Sequence, residues 1–93
     1  MIKHIVMWTL HEASDARGFK AELETCQNLV PGMGVFEVAT KTAEMPSSCD
    51  VVLYSEFENA AALNAYLVHP HHQAIAAAFG LLRQSRMHMD YEA

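Results

Sequence analysis

Read along the chain, the elements follow the order β-α-β-β-α-β, which predicts an α+β fold of the ferredoxin-like type with a four-stranded antiparallel sheet. Three observations carry that reading. Residues 2–10, 35–42, 50–58 and 86–91 read as strands, the first rich in β-branched and aromatic types and the last alternating apolar with polar. Two longer stretches, one with helical apolar spacing after Asp15 and one rich in alanine after Asn59, read as helices. Proline and glycine mark the joints between them.

Residues 2–10 (Ile-Lys-His-Ile-Val-Met-Trp-Thr-Leu) are rich in β-branched and aromatic types, which suit a pleated, half-buried surface. Ser14 and Asp15 are capping types, and the helix they open is expected to run to about Leu29, with Phe19, Leu23, Cys26 and Val30 on one stripe. Pro31-Gly-Met-Gly34 stops it, because proline breaks the hydrogen-bond ladder and glycine permits a turn. Val35–Thr42 is the second strand, and Ala43–Cys49, with Pro46, Ser47 and Ser48, is a connecting loop. Asp50–Glu58 is the third strand, and Asn59 is a good N-cap for the next helix. Ala60–Val68 and Pro70–Gln84 are helical, and Arg86–Tyr91 alternates again as the last strand. In such a sheet the first and third strands are central and the fourth lies beside the first.

Two helices cover one face of a four-stranded sheet and no more. Yet the strands carry apolar groups on both faces: Val6 and Trp8 oppose Ile5 and Met7, and Val51, Leu53 and Phe57 oppose Val52 and Tyr54. Met87, Met89 and Tyr91 share one side of the last strand. So large an apolar face does not suit a monomer, and the chain is expected to form a homodimer through it. The six methionines are expected to fill core and dimer interface, since methionine is an adaptable packing residue.

Composition narrows the partners. Ninety-three residues are expected to make one domain, 1–93, with a single core. A formal net charge of −5, with six scattered Lys and Arg, argues against a nucleic-acid surface. No apolar run approaches the roughly 20 residues of a membrane-spanning helix. The start of the chain reads as a strand and not as a signal peptide. Cys26 and Cys49 form no motif, so they are expected to be free thiols in a reducing compartment, the cytoplasm.

The chemistry concentrates in residues 66–75, Tyr-Leu-Val-His-Pro-His-His-Gln-Ala-Ile, where a tyrosine and three histidines surround one proline. Histidine titrates near neutral pH, so such a cluster is a candidate for proton handling or metal binding. Proline disfavours helix at the residue before it, so His69 is expected to end one helix as Pro70 begins the next. The spacing His-x-His-His lacks the i, i+4 interval of two ligands on one helix face, and no cysteine or carboxylate joins it, so no metal is expected. Nothing singles out an axial histidine for haem either.

The chain resembles the stress-responsive A/B barrel domain (Dabb) family, a branch of the dimeric α+β barrels. The resemblance spans nearly all of it. It rests on Ile-Lys-His-Ile-Val-Met-Trp at 2–8, Val-Pro-Gly-Met at 30–33 and Asp-Val-Val-Leu-Tyr-Ser-Glu-Phe at 50–57. It continues in Leu-Asn-Ala-Tyr-Leu-Val-His-Pro-His-His at 63–72 and Met-Asp-Tyr at 89–91. The resemblance implies a homodimer whose sheets pair face to face into a barrel. Some members resemble plant polyketide cyclases, which need no cofactor and use a histidine and a tyrosine in an aldol-type ring closure. By that likeness the working histidine is His72, the tyrosine is Tyr66, and His4 supports them. A further histidine of those cyclases is replaced by Val51, and of their aromatic run on the first helix only Phe19 remains.

The residues allow a matching role. A neutral His72 near an acidic C–H is suited to take its proton, while the Tyr66 phenol stabilises the enolate oxygen that develops. His4, on a central strand beside Val6 and Trp8, needs a partner, and Asp90 on the neighbouring fourth strand is placed to accept from it. His69 supports the junction. Two functions from different classes are open. One is a small cofactor-independent enzyme, a polyketide-cyclase-like protein or related lyase, acting on an apolar, oxygen-bearing molecule. The other is a non-catalytic stress-response or hydrophobic-ligand-binding homodimer in which the plainer roles hold: His72 caps a helix, Tyr66 packs, and His4–Asp90 is only a structural bond. A cavity lined by both His72 and Tyr66 separates the two.

Overall fold

Strands β1 (Ile2–Leu10) and β3 (Val51–Phe57) form the centre of a four-stranded antiparallel sheet of order β2-β3-β1-β4, in a computed structural model that describes residues 1–93. The edges are β2 (Met33–Thr40) and β4 (Arg83–Glu92). Helices α1 (Ala16–Glu24), α2 (Ala60–Leu67) and α3 (Pro70–Leu82) lie on one face, with a 3-10 turn at Ala13–Asp15 leading into α1. The expected fold class, strand order and antiparallel pairing are all present. Along β3 every second residue is buried, because Val51, Leu53, Ser55 and Phe57 all point towards the helices.

The boundaries move at three places, each for a local reason. The first helix ends at Glu24 and not near Leu29. Cys26 and Gln27 bond to carbonyls three residues back, and Asn28 turns left-handed at φ 59°, which closes the helix. The tightened turn keeps Cys26 on the stripe of Phe19 and Leu23, so all three are buried as the spacing implied. Neither Ser14 nor Asp15 caps through its side chain. β2 runs two residues ahead of its expected span at both ends, at Met33–Thr40. β4 begins at Arg83, so the second long helix stops at Leu82, because Leu10 pairs with Arg83 across an irregularity that prolongs the β1–β4 ladder.

The core lies between sheet and helices. Phe19 and Phe79 stack at 3.5 Å between ring centroids, and Trp8 meets Phe19 edge-on at 5.1 Å. A second aromatic group gathers around the fully buried Tyr66, with Phe57 at 5.2 Å and Phe36 at 6.3 Å. At the lower rim Asp50 is buried and accepts the Leu10 N–H at 2.8 Å and the Lys41 ammonium at 3.0 Å. The Leu10 bond, with help from Lys41, holds its carboxyl below the usual range.

The other sheet face carries Ile5, Met7, Val52, Tyr54, Met87, Met89 and Tyr91, as the register requires. No helix covers it, and Met87 and Met89 remain 74% and 65% exposed. Of the six methionines only Met33 packs against the core, which corrects the expectation that they help to fill it. The rest are exposed, three of them (Met7, Met87 and Met89) on this open face.

Gly32 fixes the entry into β2. Its φ is +88°, a Cβ added there would come within 2.9 Å of the Ala62 Cβ, and its carbonyl accepts the Glu58 N–H at 2.8 Å. Gly34, two residues on, would meet only an ordinary 3.5 Å contact. Gly32→Ala is therefore expected to cost about 1–3 kcal/mol of stability, while Gly34→Ala changes it by less than about 1 kcal/mol. Urea denaturation of the two variants checks this, and equal effects would remove the special role of Gly32.

Candidate functional site

The site is built around the break between α2 and α3. Asn59 caps α2 by accepting the Ala62 N–H at 2.9 Å. The helix runs to Leu67, where Pro70 prevents a continuous ladder. His69 takes an extended conformation and caps α3, its Nδ1 accepting the His71 N–H at 3.1 Å, with Pro70 in the first turn. In an unbroken helix that N–H would have gone to the Leu67 carbonyl. Instead the ring of His72 reaches that carbonyl, Nδ1 to O at 3.1 Å. A carbonyl only accepts, so Nδ1 carries the proton and the neutral ring keeps its lone pair on Nε2.

The histidine cluster thus divides into three tasks. His69 caps. His71 reaches back to α1, its Nε2 lying 2.7 Å from Thr25 Oγ1, while that hydroxyl donates to the Glu22 carbonyl. His72 is half-buried and packs on Tyr66 with ring centroids 4.5 Å apart. His69, as a cap, does not line the cavity that His72 and Tyr66 share.

On the sheet, His4 is buried and stands 6.2 Å from the Tyr66 ring, centroid to centroid. The β1–β4 register sets it opposite Asp90, and its Nδ1 is bonded to the Asp90 carboxylate. An ionised carboxylate accepts only, so His4 too presents an unprotonated Nε2 when neutral. His88 lies 3.8 Å from the other Asp90 oxygen.

His4, Tyr66 and His72 line one partly open cavity of about 210 Å³. Its depth is apolar, with Val6, Trp8, Leu23, Leu53, Ile75 and Phe79. Ala76, Arg83 and Arg86 complete its lining, and the two arginines are residues that the sequence did not bring forward as site residues. Arg83 was hidden inside the expected helix; Arg86 alternates with Asp90 on the His4 face, and that was its only signal. No group of His, Cys, Asp and Glu here has a metal-site arrangement.

Burial dominates the electrostatics. It lowers His72 below its ordinary 6.5, outweighing the bond to Leu67 that would raise it. It lowers His4 as well, against the opposing pull of Asp90. It raises Tyr66 far above a free phenol, so the hydroxyl stays protonated. That hydroxyl is buried without a hydrogen-bond partner. A donor withheld from water and left unpaired costs about 1–3 kcal/mol.

Both effects are measurable. Tyr66→Phe removes the orphan hydroxyl at constant packing and is expected to leave stability unchanged or raise it by about 1 kcal/mol in urea denaturation; a loss would mean the hydroxyl has a structural partner. For His72, the native value lies below that of the unfolded chain, so below about pH 6.5 the unfolded state binds more protons. Stability is full above that pH and is lost as pH falls through the lowered native value. His72→Gln is expected to flatten this acid loss between about pH 7 and about pH 5, and an unchanged slope would contradict the burial effect.

The model of the Stress Responsive A/B Barrel Domain family matches residues 2–93. Among solved structures, the chain is similar to a dimeric protein of unknown function with a ferredoxin-like fold from Bacteroides fragilis NCTC 9343, at 26% identity and a TM-score of 0.82 over 99% of this chain and 95% of that one. A Dabb family protein from Mesorhizobium loti is 23% identical, with a TM-score of 0.80 over the same shares. SnoaB, a cofactor-independent oxygenase from Streptomyces nogalater, is 15% identical with a TM-score of 0.79, over 99% of this chain and 91% of that one, a likeness of fold alone. No curated protein matches the sequence. With a family match over all but its first residue and a dimeric ferredoxin-like fold among its neighbours, the chain belongs to the stress responsive A/B barrel domain family.

Proposed function

We propose that this protein is a small cofactor-independent enzyme that removes a proton from carbon next to the carbonyl of an apolar, oxygen-bearing molecule. His72 is the base, Tyr66 the hydrogen-bond donor to the oxygen that gains charge, and His4, oriented by Asp90, supports them. One observation carries this reading. His72 spends its Nδ1 proton on the Leu67 carbonyl, which leaves a lone pair on Nε2 of a ring that lines the cavity beside an unpaired phenol. The lowered His72 value keeps that lone pair available at neutral pH. The Tyr66 hydroxyl, buried beside the Cys26 thiol and without a hydrogen-bond partner, is the donor that this reading assigns to the ligand oxygen. The fold shared with a cofactor-independent oxygenase agrees with chemistry done by side chains alone.

The working form in this reading is a homodimer made through the open sheet face, as in the dimeric neighbours. Exposed Met7, Met87 and Met89 supply its apolar contact. No helix is long and apolar enough to cross a membrane, and the free Cys26 and Cys49 fit a reducing cytoplasm.

Benzylacetone in deuterated water provides the test, with exchange of its α-protons followed by NMR. Catalysed exchange is expected, with His72→Gln slowing it by roughly 100-fold or more and Tyr66→Phe by roughly 10- to 1000-fold. The rate is expected to fall on the acid side as His72 protonates, with its midpoint below the ordinary 6.5. Exchange that survives His72→Gln would leave the proposal without its base, and binding without any exchange would favour a ligand carrier. For the dimer, Met87→Glu places a charge in the apolar face and is expected to shift sedimentation towards the monomer; an unchanged dimer would place the interface elsewhere.

A further inference from the structure

Two arginines complete a cavity that is otherwise aromatic, aliphatic and neutral. The register pairs Trp8 with Arg86 and Leu10 with Arg83, so both arginines rise on the helix-facing side of β4. Both are exposed residues that also line the cavity, which places them at its mouth. Neither has a carboxylate partner, since the ion pairs are His4–Asp90, Lys41–Asp50 and His88–Asp90. Asp90, the acid closest along the same strand face, is occupied by His4. None of the lining residues is acidic, although the chain as a whole carries a formal charge of −5.

We propose that the cavity takes an apolar molecule bearing a carboxylate, with Arg83 and Arg86 holding the carboxylate at the mouth and the apolar body filling the depth. The substrate class so named rests on the proton-abstraction reading of the same cavity. A guanidinium presents planar, paired N–H donors that match a carboxylate, and two facing one opening repel each other until an anion lies between them. Burial and the neighbouring Arg83 already disfavour the charged form of Arg86, a penalty an anion relieves. A positive opening on a negative chain also gathers anions locally and turns cations away. The depth is bounded by Trp8, Leu53, Ile75 and Phe79, with no lysine or arginine beyond the two at the mouth, which fits a single negatively charged end. At about 210 Å³ the cavity suits a small molecule, below the usual range of drug-sized sites.

Trp8 is the only tryptophan and lines the cavity, so its fluorescence reports occupancy directly. Octanoate, octanamide and octanol are titrated into the full-length protein at neutral pH. Octanoate is expected to bind roughly tenfold or more tightly than octanamide, and the preference is expected to shrink as salt rises. Arg86→Gln and Arg83→Gln should each reduce this preference, and the double variant should bind octanoate no more tightly than octanamide. Equal binding by the wild type, or a preference that survives the double variant, would overturn the carboxylate assignment. The benzylacetone exchange fails separately, since it needs His72 and no anion, so loss of one result does not carry the other. Should none of the three molecules perturb Trp8, the cavity is not a ligand site and the assignment falls with it. A thermal melt of each variant confirms that the comparison is between folded proteins.

Discussion

The break at His69–Pro70 is the constraint on which the site depends. A continuous helix from Ala60 to Leu82 would satisfy its own carbonyls and leave no acceptor for a histidine ring. Pro70 removes one N–H, and the cap formed by His69 diverts a second, so the Leu67 carbonyl must find another donor. The His72 ring supplies it. One proline thereby fixes the tautomer of a histidine, turns its ring onto Tyr66, and leaves Nε2 unprotonated. The same junction ties α3 to the end of α1 through His71 and Thr25, which steadies the aromatic stack of Phe19 on Phe79.

A shortage of cover explains the rest of the molecule. The helices pack over β1, β2 and β3 and leave β4 bare on both sides. On the helix side, β4 therefore carries Arg86, His88 and Asp90, groups that tolerate water, and the cavity opens there. On the other side it carries Met87, Met89 and Tyr91, groups that want a partner surface. A single edge strand thus presents two unlike faces, one polar and turned towards the cavity, the other apolar. Its alternation is what keeps them apart.

Much of this was legible in the sequence because it depends on period and on punctuation. Alternation identified the four strands and their faces, and proline with its flanking histidines located the junction. The His4–Asp90 contact followed from placing the fourth strand antiparallel beside the first, a topological inference that needs no coordinates. Less legible was anything set by a competition between local bonds. Whether residues 25–29 remain helical depends on Thr25, which bonds back to Glu22, and on Asn28, which accepts a left-handed turn. The start of β4 at Arg83 depends on the β1 partner and not on Arg83 itself. That one shift of boundary concealed a cavity residue. The separate tasks of His69, His71 and His72 were likewise invisible, because three adjacent histidines look alike until the backbone decides which carbonyls are left over.

Tyr66 is the core residue that departs most from ordinary packing. Its ring is as deeply buried as any in the chain and is surrounded by Phe57, Phe36, His4 and His72. Phenylalanine would fill that space without leaving a hydroxyl unpaired, so packing gives no reason for tyrosine here. The Cys26 thiol beside it adds to the burial that keeps the phenol neutral but does not meet hydrogen-bond geometry. In the proposed reading the cost of the unpaired hydroxyl is recovered when an oxygen-bearing ligand accepts from it. The two unprotonated histidine nitrogens and the unpaired arginines fit the same logic, since each has lone pairs or donors that no protein group takes up. Under the proposed function, these groups are what an oxygen-bearing ligand would engage.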